Sequence, residues 1–348
     1  MSHARIVGAG LIGTSIALGL AKEGWSIEIA DSDPRSAALA QDLLQGALGK
    51  ELVDLVVVAT PPSEVMATLK FEYALNPNAI FIDTASIKTN LLLEVETLPG
   101  LAERFVGSHP MAGREIGGAQ SAQGDLFRGR AWIFTPTSVT SKSAIELVKR
   151  VIHQLGATGY PMAASAHDEL MARISHLPQL ISTALASSVI RGSGLELAGQ
   201  GLRDMTRIAN SDGALWSEIL IGNKEEVSRS IKEFIEILNS IERNVQSGDV
   251  GAIRAAFDKG RESRNLISGK HGKQARPYTY LRIVIEDRPG QLSKIISDCS
   301  TINANIEDLS IEHSPGQFTG LITLAFLEED ADRVRTHLEG QGWSVHLA

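Results

Sequence analysis

Gly8-Ala9-Gly10-Leu11-Ile12-Gly13 decides the fold of the N-terminal region. An apolar run, residues 4–7, leads into it, and a segment with apolar residues at Ile12, Ile16, Leu18 and Leu20 follows. The order is strand, glycine turn, helix. Gly8 permits the tight turn, Gly10 lets backbone approach a pyrophosphate, and Gly13 lets the helix pack closely on the strand. The first turn of that helix, with Leu11 and Ile12, offers unpaired N–H groups and a positive dipole end to phosphates. Asp31 stands where the next strand, residues 27–30, ends, placed to accept hydrogen bonds from an adenosine ribose. Its carboxylate favours NAD, because it repels a 2′-phosphate. Arg35, four residues on, offers that phosphate a partner, so NADP stays open. Thr60, after the strand at 55–59, completes the expected cofactor set of Gly8, Gly10, Leu11, Ile12, Gly13, Asp31 and Thr60.

Working outward, further short apolar runs at 79–82, 105–106 and 131–134 alternate with amphipathic segments, the pattern of an α/β domain with a mostly parallel sheet. Between residues 30 and 55 there is room for one helix and little else. The third strand of the usual first half is therefore short or missing. Past Tyr160 the pattern turns helical, with segments at 166–190, 195–209, 214–221 and 250–268. Val227, Ile231, Phe234, Ile235, Leu238, Ile241 and Val245 form a long apolar stripe at helical spacing. Residues 268–277 are polar, carry glycines and end in proline, as a linker does. The last stretch returns to strands at 278–285, 305–313, 318–327 and 343–346, with helices at 291–302 and 330–341. That order, βαββαβ, is ferredoxin-like. The expected organisation is α/β, with a Rossmann-type dinucleotide-binding domain at 1–162, an all-helical domain at 163–275 and the ferredoxin-like domain at 276–348.

With 348 residues, 43% hydrophobic and 21% charged, the chain has the composition of folded multidomain proteins. A formal net charge of −8 and the lack of a basic block argue against nucleic acid as a partner. Cys299 is the single cysteine, so neither an intrachain disulfide nor a cysteine metal cluster is expected. No run reaches the roughly 18 apolar residues of a membrane span. No charged-then-apolar leader precedes the first strand, and the expectation is a cytoplasmic protein.

Three further segments carry chemistry: Asp83-Thr84-Ala85-Ser86-Ile87-Lys88, Gly107-Ser108-His109-Pro110-Met111-Ala112-Gly113-Arg114-Glu115, and Ser175-His176-Leu177-Pro178 with Asp204-Met205-Thr206-Arg207. The first two follow strands, and in an open α/β sheet the ligand crevice lies at the carboxyl ends of the strands. Taken singly, each residue also has a plain reading. His109 before proline can cap a strand, Ser86 can cap a helix, and Arg207 beside Asp204 can form a helical ion pair. His153, His167, His313 and His346 lack a partner pattern and read as surface or packing residues.

Together, these motifs resemble the prephenate dehydrogenases and the closely similar arogenate dehydrogenases. Residues 278–348, with Asp287-Arg288-Pro289-Gly290-Gln291-Leu292 at their first turn, resemble an ACT domain. The resemblance implies NAD-dependent oxidative decarboxylation of prephenate to 4-hydroxyphenylpyruvate, in a homodimer joined through the helical domain and regulated by tyrosine. Aromatisation drives the loss of CO2, so the reaction needs no metal. It needs a base for the ring hydroxyl, which suits His109, since an imidazole is largely neutral at cell pH. Ser86 is placed to hydrogen-bond the same hydroxyl or the imidazole. Arg207 is the candidate for a substrate carboxylate, His176 and Glu115 are implied near the substrate, and Asp204 belongs with Arg207 to an ionic network. Gln179 replaces a histidine common after SHLP; its neutral amide offers no countercharge to the ammonium of arogenate and so favours prephenate. Gly290, Gln291, Leu292 and Asn305 are the implied effector residues. Two other readings compete: a different Rossmann dehydrogenase with a helical partner domain, and a non-catalytic NAD-binding ACT sensor.

Overall fold

The structure, a computed structural model, describes residues 2–44, 52–113, 117–189, 194–267, 278–286, 288–313 and 319–347. Two compact units make up the chain: residues 1–191 with 205–236, and residues 192–204 with 237–348. The helical stretch expected as one domain is thus shared between them. The expected linker at 268–277 lies outside the described residues.

The first unit is built on a seven-stranded sheet. Its elements run β1 (His3–Val7), α1 (Leu11–Lys22), β2 (Ser26–Ala30), α2 (Pro34–Leu44), β3 (Leu55–Val58), α3 (Val65–Leu75) and β4 (Ile80–Asp83). They continue with α4 (Thr89–Glu96), α5 (Pro99–Ala102), β5 (Phe105–Pro110), β6 (Ala131–Thr135), α6 (Lys142–Gln154) and β7 (Thr158–Pro161). The strand order is β2-β1-β3-β4-β5-β6-β7. Among the described residues β2 is the edge, because α2 carries the chain back to β3, which pairs with the other side of β1. No described strand lies beyond β2, and residues 45–51 of the connection between β2 and β3 lie outside the described residues. The order reverses at β1, so the crevice between the carboxyl ends of β1 and β3 is the switch point where such sheets bind ligands.

Continuous apolar strands reflect burial on both faces. Ile6, Ile82, Trp132, Phe134 and Val148 fill one side with α1 and α6, while Val56, Val58, Leu69, Phe81 and Phe105 fill the other. Each such side chain contributes about 1.5–3 kcal/mol by leaving water.

Strand β5 differs from its expected span of 105–106 and runs on to Pro110. Phe105 and Val106 pair in parallel with Phe81 and Ile82 of β4. Beyond the end of β4, Gly107 to Pro110 pair antiparallel with β6, His109 opposite Ile133. His109 therefore sits inside a strand that overhangs its neighbour, with one ladder side open.

Helices α7 (Ala164–Met171) and α8 (Leu177–Val189) replace the single helix expected at 166–190. Between them Ala172–His176 form a turn of π-helix. Pro178 has no N–H for the carbonyl four residues back, so the α ladder cannot pass through it unbroken, and the widened turn takes up the defect. The chain continues through α9 (Gln200–Thr206), a 3-10 turn at Arg207–Ala209, α10 (Gly213–Gly222), α11 (Lys224–Ser247) and α12 (Val250–Leu266).

In the second unit β8 (Tyr278–Glu286), α13 (Gln291–Thr301), β9 (Asp308–His313), β10 (Thr319–Leu327), α14 (Glu328–Gly340) and β11 (Val345–Leu347) form the expected βαββαβ arrangement. The sheet is antiparallel, in the order β11-β8-β10-β9, with Ile283, Leu324, Phe326, Ile295 and Val334 in its core. No described helix is long and apolar enough to cross a membrane.

Candidate active site

The glycine turn is shaped for a dinucleotide. Gly8 has φ 107°, a conformation that L side chains rarely adopt, and its N–H donates to the Ala30 carbonyl (2.8 Å). A Cβ on Gly13 would collide with the Gly8 carbonyl and press on Ala59, so the helix–strand contact admits only glycine there. Gly10 faces open space, and as N-cap of α1 it adds no side-chain bond to the free N–H groups of Leu11, Ile12 and Gly13. Asp31 Oδ2 accepts the Ala9 N–H (2.6 Å) and Oδ1 accepts the Asp33 N–H (2.8 Å), fixing the carboxylate beside the turn. The Thr60 hydroxyl, across from Gly8, is buried without a hydrogen-bond partner among the described residues. An open glycine cradle, a fixed acid and an unsatisfied hydroxyl fit a bound dinucleotide. Arg35, 96% exposed, points its guanidinium at Asp33 (3.7 Å).

A second cluster gathers around His109. Asp83, at the end of β4, is fully buried and bonded to the Lys88 ammonium, itself 0% exposed. Its Oδ2 also accepts the Ala85 N–H (3.0 Å) and its Oδ1 the Ser108 N–H (2.9 Å), while the Ser108 hydroxyl donates to the Asp83 carbonyl. Lys88 and Asp83 thereby tie the loop carrying Ser86 to the strand carrying His109. Gly107 has to be small here, since a Cβ would meet Thr135, Leu92 and the Lys88 side chain. Lys88, not Ser86, is the N-cap residue of α4, which removes the plain capping role for Ser86.

Asp168 on α7 supplies that cap from eighty residues away. It accepts the Lys88 N–H (2.9 Å) on Oδ1 and the Thr89 N–H (2.7 Å) on Oδ2. Oδ1 also takes a bond from His167 Nδ1 (2.8 Å), and His167 Nε2 lies 2.9 Å from His109 Nδ1. Burial works to raise the Asp168 carboxyl, but the bonds from His167, Thr89 and Lys88 outweigh it and hold it below its ordinary value. Burial pushes His109 well below 6.5, with His167, Lys88 and His176 acting the same way and Asp168 opposing. His167, read from sequence as surface or packing, is fully buried at the centre of the site. Its adjacency to Asp168 was the one available signal.

His176 lies in the π turn, 1% exposed, its ring edge-on to Trp216 with centroids 6.1 Å apart. Burial lowers it to about 4, Asp168 opposing and His167 adding, so the ring is neutral. Asn223, which sequence reasoning did not single out, bonds the Asp168 carbonyl (2.8 Å) and His176 Nδ1 (3.2 Å) through Nδ2. With Nδ1 accepting, His176 Nε2 carries the proton, and that atom is buried without a partner among the described residues. Gln179 is buried and committed: Nε2 donates to the Ile208 carbonyl (2.8 Å) and Oε1 accepts from Ser211 (3.4 Å). It therefore shapes the turn that carries Arg207, which is exposed. Asp204 accepts a bond from Gln200 (2.8 Å). Glu115 lies outside the described residues, as does the side chain of His313. Helix α10 docks on the same loops: Glu218 accepts the Ser63 N–H (3.1 Å), and Asn90 donates to the Gly222 carbonyl (3.1 Å). Among the described residues no group of histidine, cysteine or acidic side chains is arranged to hold a metal.

A glycine cradle at the switch point of this sheet defines a Rossmann-type dinucleotide-binding protein. Residues 11–160 match the prephenate dehydrogenase nucleotide-binding domain, and residues 163–259 the prephenate dehydrogenase dimerization domain. The chain is 26% identical to the probable prephenate dehydrogenase NovF of Streptomyces niveus, across 99% of this chain and all of that one. It is 27% identical to the prephenate dehydrogenase of Bacillus subtilis, over 95% and 93% of the two chains. The solved structure of prephenate dehydrogenase from A. aeolicus, in complex with hydroxyphenyl propionate and NAD+, superposes with a TM-score of 0.71 at 30% identity, covering 77% of this chain and 99% of that one. The chain belongs to the prephenate dehydrogenase family.

Proposed function

We propose that this enzyme oxidises and decarboxylates prephenate, with His109 as the base. The carrying observation is the His109 imidazole, held neutral on an overhanging strand, with Ser86 and Lys88 in the adjoining loop. NAD, held at the glycine turn of Gly8 to Gly13 with Asp31, would supply the hydride acceptor. As hydride leaves the carbinol carbon, His109 accepts the hydroxyl proton. The bond from the opposite ring carbon to its carboxylate breaks, its electron pair aromatises the ring, and CO2 departs. His109 then returns the proton to the phenolate oxygen, so the net reaction releases none. Protonating the hydroxyl instead would invite loss of water, which makes a neutral imidazole the right partner. Ser86 hydrogen-bonds the same hydroxyl, Arg207 pairs with a substrate carboxylate, and the unpaired Nε2–H of His176 donates to a ligand oxygen.

Prephenate is preferred to arogenate because Gln179 is neutral and already bonded to the 208–211 turn, so no carboxylate stands there for an ammonium. The enzyme works as a homodimer: Ile235, Leu238 and Val245 of α11 are exposed within one chain, and packing against a second copy buries them. The ferredoxin-like C-terminal domain acts as an ACT-type sensor for tyrosine, bound near Gly290, Gln291, Leu292 and Asn305. The cytoplasm is its compartment. Steady-state formation of NADH from NAD, or of NADPH from NADP, with prephenate and with arogenate tests the reading. Prephenate with NAD should give the highest kcat/KM; a preference for arogenate would refute the substrate assignment.

A further inference from the structure

We infer that His167, anchored by Asp168, is a positioning residue that fixes the tautomer of His109, leaving a lone pair on His109 Nε2. The inference rests on the reading of His109 as the base and names what makes its second nitrogen available.

Asp168 sits at the N-terminus of α4 and takes two of that helix's first N–H groups, an arrangement that favours the ionised form. An ionised carboxylate only accepts hydrogen bonds, so the proton between it and His167 belongs to His167 Nδ1. A neutral His167 then presents a lone pair at Nε2. His109 Nδ1, 2.9 Å from that lone pair, must be the donor. The two rings stand at 70° with centroids 5.1 Å apart, so they meet through this nitrogen contact and not by stacking. One proton remains on neutral His109, on Nδ1, and Nε2 is left basic. Without His167 either tautomer is open to the ring, and the one protonated at Nε2 cannot act as a base.

The other groups near His109 do not supply this constraint. Lys88 is bonded to Asp83. His176 is turned to Asn223 through Nδ1. Asp168 reaches His109 only through His167. When His109 takes up a proton, its Nδ1–H bond to His167 becomes charge-assisted, with the Asp168 carboxylate one bond further on to balance it.

The test is long-range 1H–15N correlation on the full-length protein labelled at histidine, without substrate, with His109→Asn used to assign the ring. In the wild type, His109 Nδ1 should show the shift of a protonated nitrogen and Nε2 that of an unprotonated one. His167→Leu, which removes the acceptor, should mix the tautomers and lower kcat by ~10–100-fold with little change in NAD binding. His167→Gln places an amide oxygen near the position of the lost Nε2 and should restore the tautomer and most of kcat. A His109 ring protonated at Nε2 in the wild type overturns the inference, as do Leu and Gln variants that behave alike. Because the ring shifts are read without turnover, a wrong choice of base leaves them as expected, while a wrong tautomer reverses them whatever the base is.

Discussion

The role proposed for His109, that of a base, needs the unprotonated imidazole, and the surroundings of the ring favour that form. Burial and the neighbouring His167, Lys88 and His176 place its protonation well below 6.5. Activity requires the neutral ring, so kcat/KM holds as pH falls through 6.5 and declines only at lower pH, as His109 takes up its proton. A pH profile whose acid limb lies at or above 6.5 would contradict the assignment. The role proposed for Arg207 is different, that of a cation toward a substrate carboxylate. Arg207→Ala should raise the KM for prephenate by ~10-fold or more while leaving NAD affinity near wild type. An unchanged KM would mean that Arg207 does not meet the substrate.

The elements explain why these residues converge. Strand β5 overhangs β4, and the gap is closed by Asp83, Lys88 and the Ser108 N–H. Lys88→Met leaves the Asp83 carboxylate buried without its cation, at a cost of about 3–5 kcal/mol, and should lower the apparent melting temperature clearly. Combining it with Asp83→Asn should recover part of the loss; a single variant as stable as wild type would show that the pair does not hold the loop. Much of this was legible in the sequence. The glycine turn, the strands around it and the βαββαβ order follow from hydrophobic period and turn chemistry. The length of β5 was not legible, because its second half is held by antiparallel pairing with β6, a long-range contact. Pro178 marked a disturbance in the helix, but period alone did not give the π turn that places His176. His167 escaped because His109, and the start of α4 that anchors Asp168, are distant in sequence and meet this pair only in the fold.

The residues proposed for catalysis, Ser86, His109, His176 and Arg207, all lie in the first unit, and those proposed for sensing lie in the ferredoxin-like part of the second. Gly290, with φ 91°, opens α13 with no side-chain cap and open space where a Cβ would lie, so its helix N-terminus can receive a carboxylate. Asn305 at present bonds Glu307 (2.8 Å), a bond that an effector would have to replace. Saturating tyrosine should lower activity several-fold, the scale of a ~1–3 kcal/mol coupling. A chain truncated after residue 275, or Gly290→Val, should lose that sensitivity while remaining active and dimeric. Tyrosine inhibition undiminished in both would place the effect at the active site, where tyrosine resembles the product.

The proposed role of His109 is tested by one paired measurement: kcat for NADH formation from prephenate, and the Kd for NAD, in wild type and His109→Asn. The account predicts that kcat falls by at least ~10²-fold, the scale of a lost general base, while NAD binds as before, since its cradle at Gly8 to Gly13 is untouched. A variant that keeps more than about a tenth of wild-type kcat would contradict it.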